Sequence, residues 1–329
     1  MILRILKSNR PVNFVLFPLI GLLFWLANLI HPQIYPYYLG ENENLLYAPI
    51  YSFLKNAPFV QSLLSLILVV ALAFMVQQVN NRYAFVRIRT MLPAPMFVLL
   101  IGGFSQMHTL HPVFFGAAFL LFAIYRLFSL FDQPKSYPAA FDAGFWLGVG
   151  SLFYFNLILL LPAFVIGIAI LSREYHWRAF LINLIGVLVP WFFAFSYAFL
   201  TEHLLPLLNT LEQSILTANN HFKSNIPLQV FLGFLIFLTV LGSIKMIQQY
   251  DTKKVSSRKY FTILFLIFLF AIISFIFIPA TSQEMLVIMA IPISFLVSNL
   301  LVFMKSRFWS ELIFTVLFGI VVFMEIIAW

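Results

Sequence analysis

Apolar runs of bilayer-crossing length recur along the whole chain, each closed by charges, Pro or Asn. They occupy residues 12–30, 60–79, 91–107, 112–131, 179–200, 227–247, 260–279, 285–304 and 309–328. A helix needs about 20 apolar residues to cross the hydrocarbon layer. Because a crossing backbone must satisfy its own hydrogen bonds, helix is the expected state of every run. The stretch 139–172 fits neither pattern, being too long for one crossing and short for two.

Charge decides between these readings. If 139–172 crossed once, nine basic residues from Arg173 to Arg307 would face outward, against the bias that keeps Lys and Arg in cytoplasmic loops. If it is a hairpin of two short helices turning near Phe155 and Asn156, those nine join the eight from Arg4 to Lys135 inside. Only Lys55 and Lys223 of the 19 Lys and Arg then lie outside. The hairpin gives an all-α polytopic membrane protein of about eleven transmembrane helices, with a cytoplasmic N-terminus and an external C-terminus. The run Val12–Ile30 behind Arg4, Lys7 and Arg10 is too long for a signal-peptide core and has no small-residue cleavage site, so it reads as an uncleaved first helix.

Composition agrees with this layout. The chain is 63% hydrophobic and 9% charged, so it cannot cover itself with polar surface as a soluble domain does. A net charge of +8 in a soluble protein would point to nucleic acid. Here the charges sit in short loops between apolar runs, which excludes that partner and indicates membrane lipids. The absence of Cys excludes disulfides, thiolate metal sites and a Cys nucleophile.

Two outer loops, 31–59 and 201–226, are longer than a connection requires, which places function on the outer side. In the first, Leu46, Ile50, Phe53 and Leu54 recur at helical spacing. In the second, Leu204, Leu208, Leu211 and Ile215 do so opposite Asn209, Glu212 and Gln213. Both read as amphipathic helices lying on the membrane surface. The second loop also divides the chain, into residues 1–200 and 201–329.

Candidate chemistry lies in these loops. Glu41 and Glu43, in Gly40-Glu41-Asn42-Glu43-Asn44, offer either a general base beside the lipid surface or solvated, helix-capping side chains. His108 and His111, three residues apart, are either binding groups or interfacial histidines with apolar bodies and wet edges. Two histidines do not make a metal site, and no metal or other cofactor is expected. Lys55 and Lys223, the external cations, meet either a substrate phosphate or lipid headgroups. Asp142, Glu284, Glu311 and Glu325 fall near run ends, so no ionisable chain through the membrane is expected. There is no P-loop, dinucleotide fingerprint, HExxH or GxSxG.

The order of these features resembles the GT-C superfamily of integral membrane glycosyltransferases, in its protein-mannosyltransferase-like form, over residues 1–200. The resemblance rests on the acidic GENEN motif at 40–44, LLYAPIYSFLKN at 45–56, HTLHPVFFGAAFLLFAIYRLF at 108–128 and the glycine-containing hairpin at 143–171, followed by SREYHWR at 172–178. It implies transfer of a sugar from a polyprenyl-phosphate carrier at the outer leaflet, with Glu41 or Glu43 as base. It also implies that Lys55, His108, His111, Asn156 and Lys223 serve substrate binding. Here the family's Asp-Glu pair reads Glu41-Asn42-Glu43, and a commonly basic hairpin position reads Phe155-Asn156. Such departures fit an alternative as a non-catalytic scaffold or subunit with a membrane-protein partner in a cell-envelope assembly; a third reading is a lipid or solute transporter. The chain is also similar to a family of Bacteroidota membrane proteins to which no activity attaches. The expected location is the bacterial inner membrane.

Overall fold

A computed structural model describes residues 2–7, 12–37, 40–83, 85–86, 90–131, 133, 137–172, 177–217, 226–248 and 254–328. Among the described residues the elements are all helical. Eight helices are long and apolar enough to cross a membrane. They are α2 (Val12–Ile30), α4 (Pro58–Tyr83), α6 (Pro112–Ser129), α9 (Trp177–Leu200), α11 (Ile226–Gln248), α12 (Val255–Phe277), α13 (Met285–Phe303) and α14 (Arg307–Ala328). Large apolar side chains such as Phe192, Phe193, Leu200 and Phe277 stand exposed on them, which in water would be a liability and against lipid is not. The chain is an integral membrane protein.

Shorter elements fill the gaps: α1 (Ile2–Lys7), α3 (Ala48–Leu54), α5 (Pro93–Gly102), α7 (Tyr137–Phe153), α8 (Leu161–Leu171) and α10 (Leu204–Leu216). The run expected to cross as one helix over 91–107 is instead the ten-residue α5, about 15 Å long, followed by a 3-10 turn at Ser105–His108. Pro93 and Pro95 pre-set its first turn and lack amide donors, and Gly102-Gly103 ends it. Every residue of α5 is buried, so it needs no length to reach water. α13 is the other interior helix, buried from Met285 to Leu301, as an all-round apolar helix should be.

The ambiguous stretch divides where the sequence suggests. α7 stops at Phe153, a 3-10 segment covers Phe155–Leu160, and α8 follows. The glycines show its course. A Cβ on Gly144 would lie 2.1 Å from the Asn183 carbonyl oxygen, one on Gly148 2.7 Å from that of Val187, and one on Gly186 2.4 Å from that of Phe141. Contacts advance together along both helices, so α7 and α9 run parallel and the segment between them returns. Gly144-xxx-Gly148 lets the backbones touch, the small-residue device of membrane helix pairs. On its other face α7 meets α6, where Gly116 and Gly150 surround Leu157.

The surface helices depart in detail from their expected faces. α10 buries Leu207, Thr210 and Ser214 and leaves Leu208 and Ile215 of the anticipated apolar stripe exposed. Those two side chains face outward, where a lipid surface would take them up, while Leu211 of the same stripe packs against the cluster of Leu152, Trp191 and Ala194.

Charge sorts to the two ends of the helices. Arg82, Arg126 and Tyr260 share one cavity at one end, with Lys259 stacked over Phe131 beside it. At the other end lie Glu41, His108, His111, Glu284 and Glu325.

Candidate functional site

The turn at 105–111, between α5 and α6, carries both histidines and is gripped from two sides. On the first side the His108 carbonyl accepts hydrogen bonds from Asn28 Nδ2 (3.0 Å) and Ser65 Oγ (2.8 Å). Trp25 lies against the His108 ring at 4.1 Å between centroids and donates its indole N–H to Ser65 Oγ at 2.7 Å. Asn28 and Ser65 come from facing turns of α2 and α4 and bring polar partners from two apolar helices to the turn.

The His108 ring is fully buried. Its Nε2 lies 3.2 Å from the Gly102 carbonyl oxygen, which can only accept, so Nε2 carries the proton. Burial pushes the pKa of His108 down to about 3 despite help from that carbonyl, so the ring is neutral. Its Nδ1 lone pair then faces Glu325 Oε1 at 3.9 Å, too far for a hydrogen bond. His108 and Glu325 thus stand side by side without a hydrogen bond between them. They open on a cavity of about 310 Å³ lined by Asn28, His31, Gln33, Tyr35 and Ser105.

On the second side, Glu41 is buried and both its carboxylate oxygens are engaged. Oε1 lies 2.7 Å from His111 Nδ1, and Oε2 accepts the Tyr37 N–H at 2.6 Å. His111 Nε2 points at the Gln106 carbonyl oxygen (2.9 Å) and Thr109 Oγ1 (2.8 Å). Burial opposes a charged imidazole here, but the Glu41 charge and hydrogen bond, the Gln106 carbonyl and Glu284 outweigh it and raise the pKa of His111. The pair is a closed ion pair that fixes the turn. Tyr47 adds a third restraint, donating its hydroxyl to the Leu110 carbonyl at 2.7 Å. The motif that delivers Glu41 depends on Gly40, whose φ of +90° and contact with Gln213 of α10 admit no side chain.

Glu284 completes this buried group. Its Oε1 accepts the Ser282 N–H (3.0 Å) and the Tyr154 hydroxyl (3.3 Å), and its Oε2 accepts the Ser282 hydroxyl (2.7 Å). Burial, and then the charge of Glu41, lift its pKa from 4.5 to about 7. A carboxyl whose folded pKa is raised favours the folded state while protonated, and the advantage is lost as pH rises from 4.5 to 7. The raised His111 acts in the same sense, its contribution fading as pH climbs through its folded pKa. The Tm in mild detergent is therefore expected to fall between pH 5 and 8, and Glu284→Gln to flatten that fall; an unchanged slope in the variant would contradict the assignment.

Of the residues singled out in the sequence, the structure joins Glu41 to His111 and sets His108 on the opposite side of the same turn. Glu43 and Lys55 are exposed. Asn156 is buried, and neither atom of its amide has a hydrogen-bond partner. Lys223 lies outside the described residues. Glu284, Glu325, Tyr37, Tyr154 and Asn28 were not singled out as site residues. Asn28 and Glu325 carry a legible signal, each being a polar residue inside an otherwise apolar run. The sequence placed Glu284 and Glu325 correctly near run ends but did not foresee their burial. Among the described residues no group of three or more His, Asp or Glu is arranged to hold a metal ion.

No curated protein and no solved structure matches the chain. Residues 45–328, which include α3 to α14 and both histidines of the turn, match the profile described as a family of unknown function (DUF6427), and the chain belongs to that family.

Proposed function

We propose that this protein is a GT-C-like transferase that takes a sugar from a polyprenyl-phosphate carrier and passes it to an acceptor hydroxyl at the outer face of the bacterial inner membrane. In this reading the chain crosses eleven times, with the buried α5 and the half-buried α8 as short passes. The basic end that holds Arg82 and Arg126 faces the cytoplasm.

The cavity beside His108 and Glu325 carries the proposal. At about 310 Å³ it has room for one sugar ring, within the usual range of ligand pockets, which begins at roughly 300 Å³. Its lining amide and hydroxyl groups suit a neutral polyhydroxylated group. The base role, which the resemblance gives to Glu41 or Glu43, passes in this proposal to Glu325, which lines the cavity. The acceptor oxygen bonds to the anomeric carbon as the bond from that carbon to the phosphate oxygen breaks. The carrier phosphate leaves with the electron pair, and the acceptor proton goes to Glu325. His108 bounds the pocket beside Glu325, and Glu41–His111 holds the turn in place.

Purified protein supplied with a polyprenyl-phosphate-linked hexose and a lipid acceptor is expected to release polyprenyl phosphate. Glu325→Gln should lower the rate by about 10²–10⁴-fold, the usual share of general base catalysis, without altering Tm. A full rate in the variant would overturn this mechanism.

The internally satisfied Glu41 favours a second reading, a non-catalytic subunit of a cell-envelope assembly. A stoichiometric membrane-protein partner retained in mild detergent, with no transfer product, is its expected result.

A further inference from the structure

The opposite end of the molecule holds a second built cavity, of about 420 Å³, where the ends of α4 and α6 meet the starts of α7 and α12. Ser65, beside His108, and Arg82, at this cavity, lie seventeen residues apart on α4, about 25 Å of helix. The two cavities are therefore separate.

Cationic and aromatic groups line this second cavity. Arg82 and Arg126 contribute guanidinium groups, and Tyr83, Tyr125 and Tyr260, with Phe128 and Phe131, form the aromatic wall. Lys259 Nζ sits 5.5 Å from the centre of the Phe131 ring at the rim. Tyr83 and Tyr260 are fixed, donating their hydroxyls to the carbonyls of Tyr125 (2.6 Å) and Phe128 (3.2 Å), and their rings pack edge to face at 5.2 Å. One carboxylate offsets the cations: Asp142 accepts from Arg126 through Nε (2.8 Å) and Nη2. Among the described residues, three cations against one carboxylate leave a net charge of +2 around the hollow. Among the described residues no carboxylate pairs with Arg82. Solvated basic residues that only set membrane orientation need no rigid aromatic cup.

We propose that this cavity binds the phosphate ester of an anionic headgroup, held by Arg82 and Arg126. Guanidinium groups match phosphate oxygens two at a time, and basic pockets between membrane helices are suited to lipid headgroups. The same chemistry would be offered by a soluble phosphate ester, so the source is set by experiment. The proposal is independent of the transferase reading, since neither His108 nor Glu325 takes part.

The test uses the full-length protein, delipidated in neutral detergent and titrated with phosphatidylglycerol, phosphatidylcholine or sn-glycerol 3-phosphate, with native mass spectrometry and Tm as readouts. Saturable binding of phosphatidylglycerol over phosphatidylcholine is expected. Arg82→Gln, at an exposed position, should weaken it about tenfold, the usual worth of one charge-assisted contact. Asp142→Asn, which frees Arg126, should tighten it. Competition by glycerol phosphate would identify the headgroup alone as ligand; its absence would identify the acylated lipid. Equal binding of the two lipids, or unchanged affinity in Arg82→Gln with Tm intact, would overturn the proposal.

Discussion

Replacing Glu41 by Gln is expected to destabilise the protein by about 3–5 kcal/mol, the usual consequence of removing one member of a buried ion pair. The cost arises because His111 keeps its burial and loses the carboxylate that justified its charge, while the Tyr37 N–H loses its acceptor. The double variant Glu41→Gln/His111→Gln should recover a measurable part of this loss, since neither side then carries an uncompensated charge. Thermal unfolding of the four members of that cycle in one detergent gives the coupling directly. A Glu41→Gln protein as stable as the wild type would show that the pair does not hold the turn. The same cycle separates a structural Glu41 from a catalytic one, because a base acting only on substrate would leave Tm unchanged.

The second large effect is expected at the seam between α7 and α9. Gly144→Ala and Gly186→Ala each place a methyl group against a backbone carbonyl, at 2.1 Å from Asn183 and 2.4 Å from Phe141. Backbone atoms cannot turn aside as a flexible side chain can, so the helices must separate, and each change is expected to cost about 1–3 kcal/mol. Gly233→Ala and Gly319→Ala, where the added methyl meets nothing within 4 Å, serve as controls. Both controls should be neutral or slightly stabilising, because alanine has less conformational freedom to lose. Equal Tm values for all four variants would refute the close approach.

Most of the helical layout was legible because crossing a membrane is a composition-level constraint, which continuous apolar runs of about 20 residues satisfy as helices. Position 139–172 shows how far this extends, since charge counting there chose the turn at Phe155 and Asn156 and the helix breaks at that place. The shortness of α5 was less legible. Its sequence is as apolar as a crossing helix, and only its complete burial, a property of the neighbours rather than of the run, removes the need for length. Within the site, Glu41 and His111 were both visible as candidates, but the bond between them joins positions 70 residues apart and no local spacing encodes it. Glu284 and Glu325 show the same limit: a carboxylate near the end of an apolar run looks solvated until a distant loop closes over it. The apolar stripe of α10 is split: Leu211 packs on the protein beside the buried Leu207, Thr210 and Ser214, while Leu208 and Ile215 are left to be covered from outside.

The parallel register of α7 and α9 bears on how the chain is made. Asn183 can meet Gly144, and Val187 meet Gly148, only after the eleven-residue α8 and the turn before it have carried the chain back. Until then α7 emerges from synthesis with its glycine face lacking the helix it is shaped for. Were α8 to stay behind at the surface, α9 would follow in the opposite direction and the matched carbonyls and glycines would fall out of step. The close packing of the seam is thus available only to the arrangement in which α8 returns the chain.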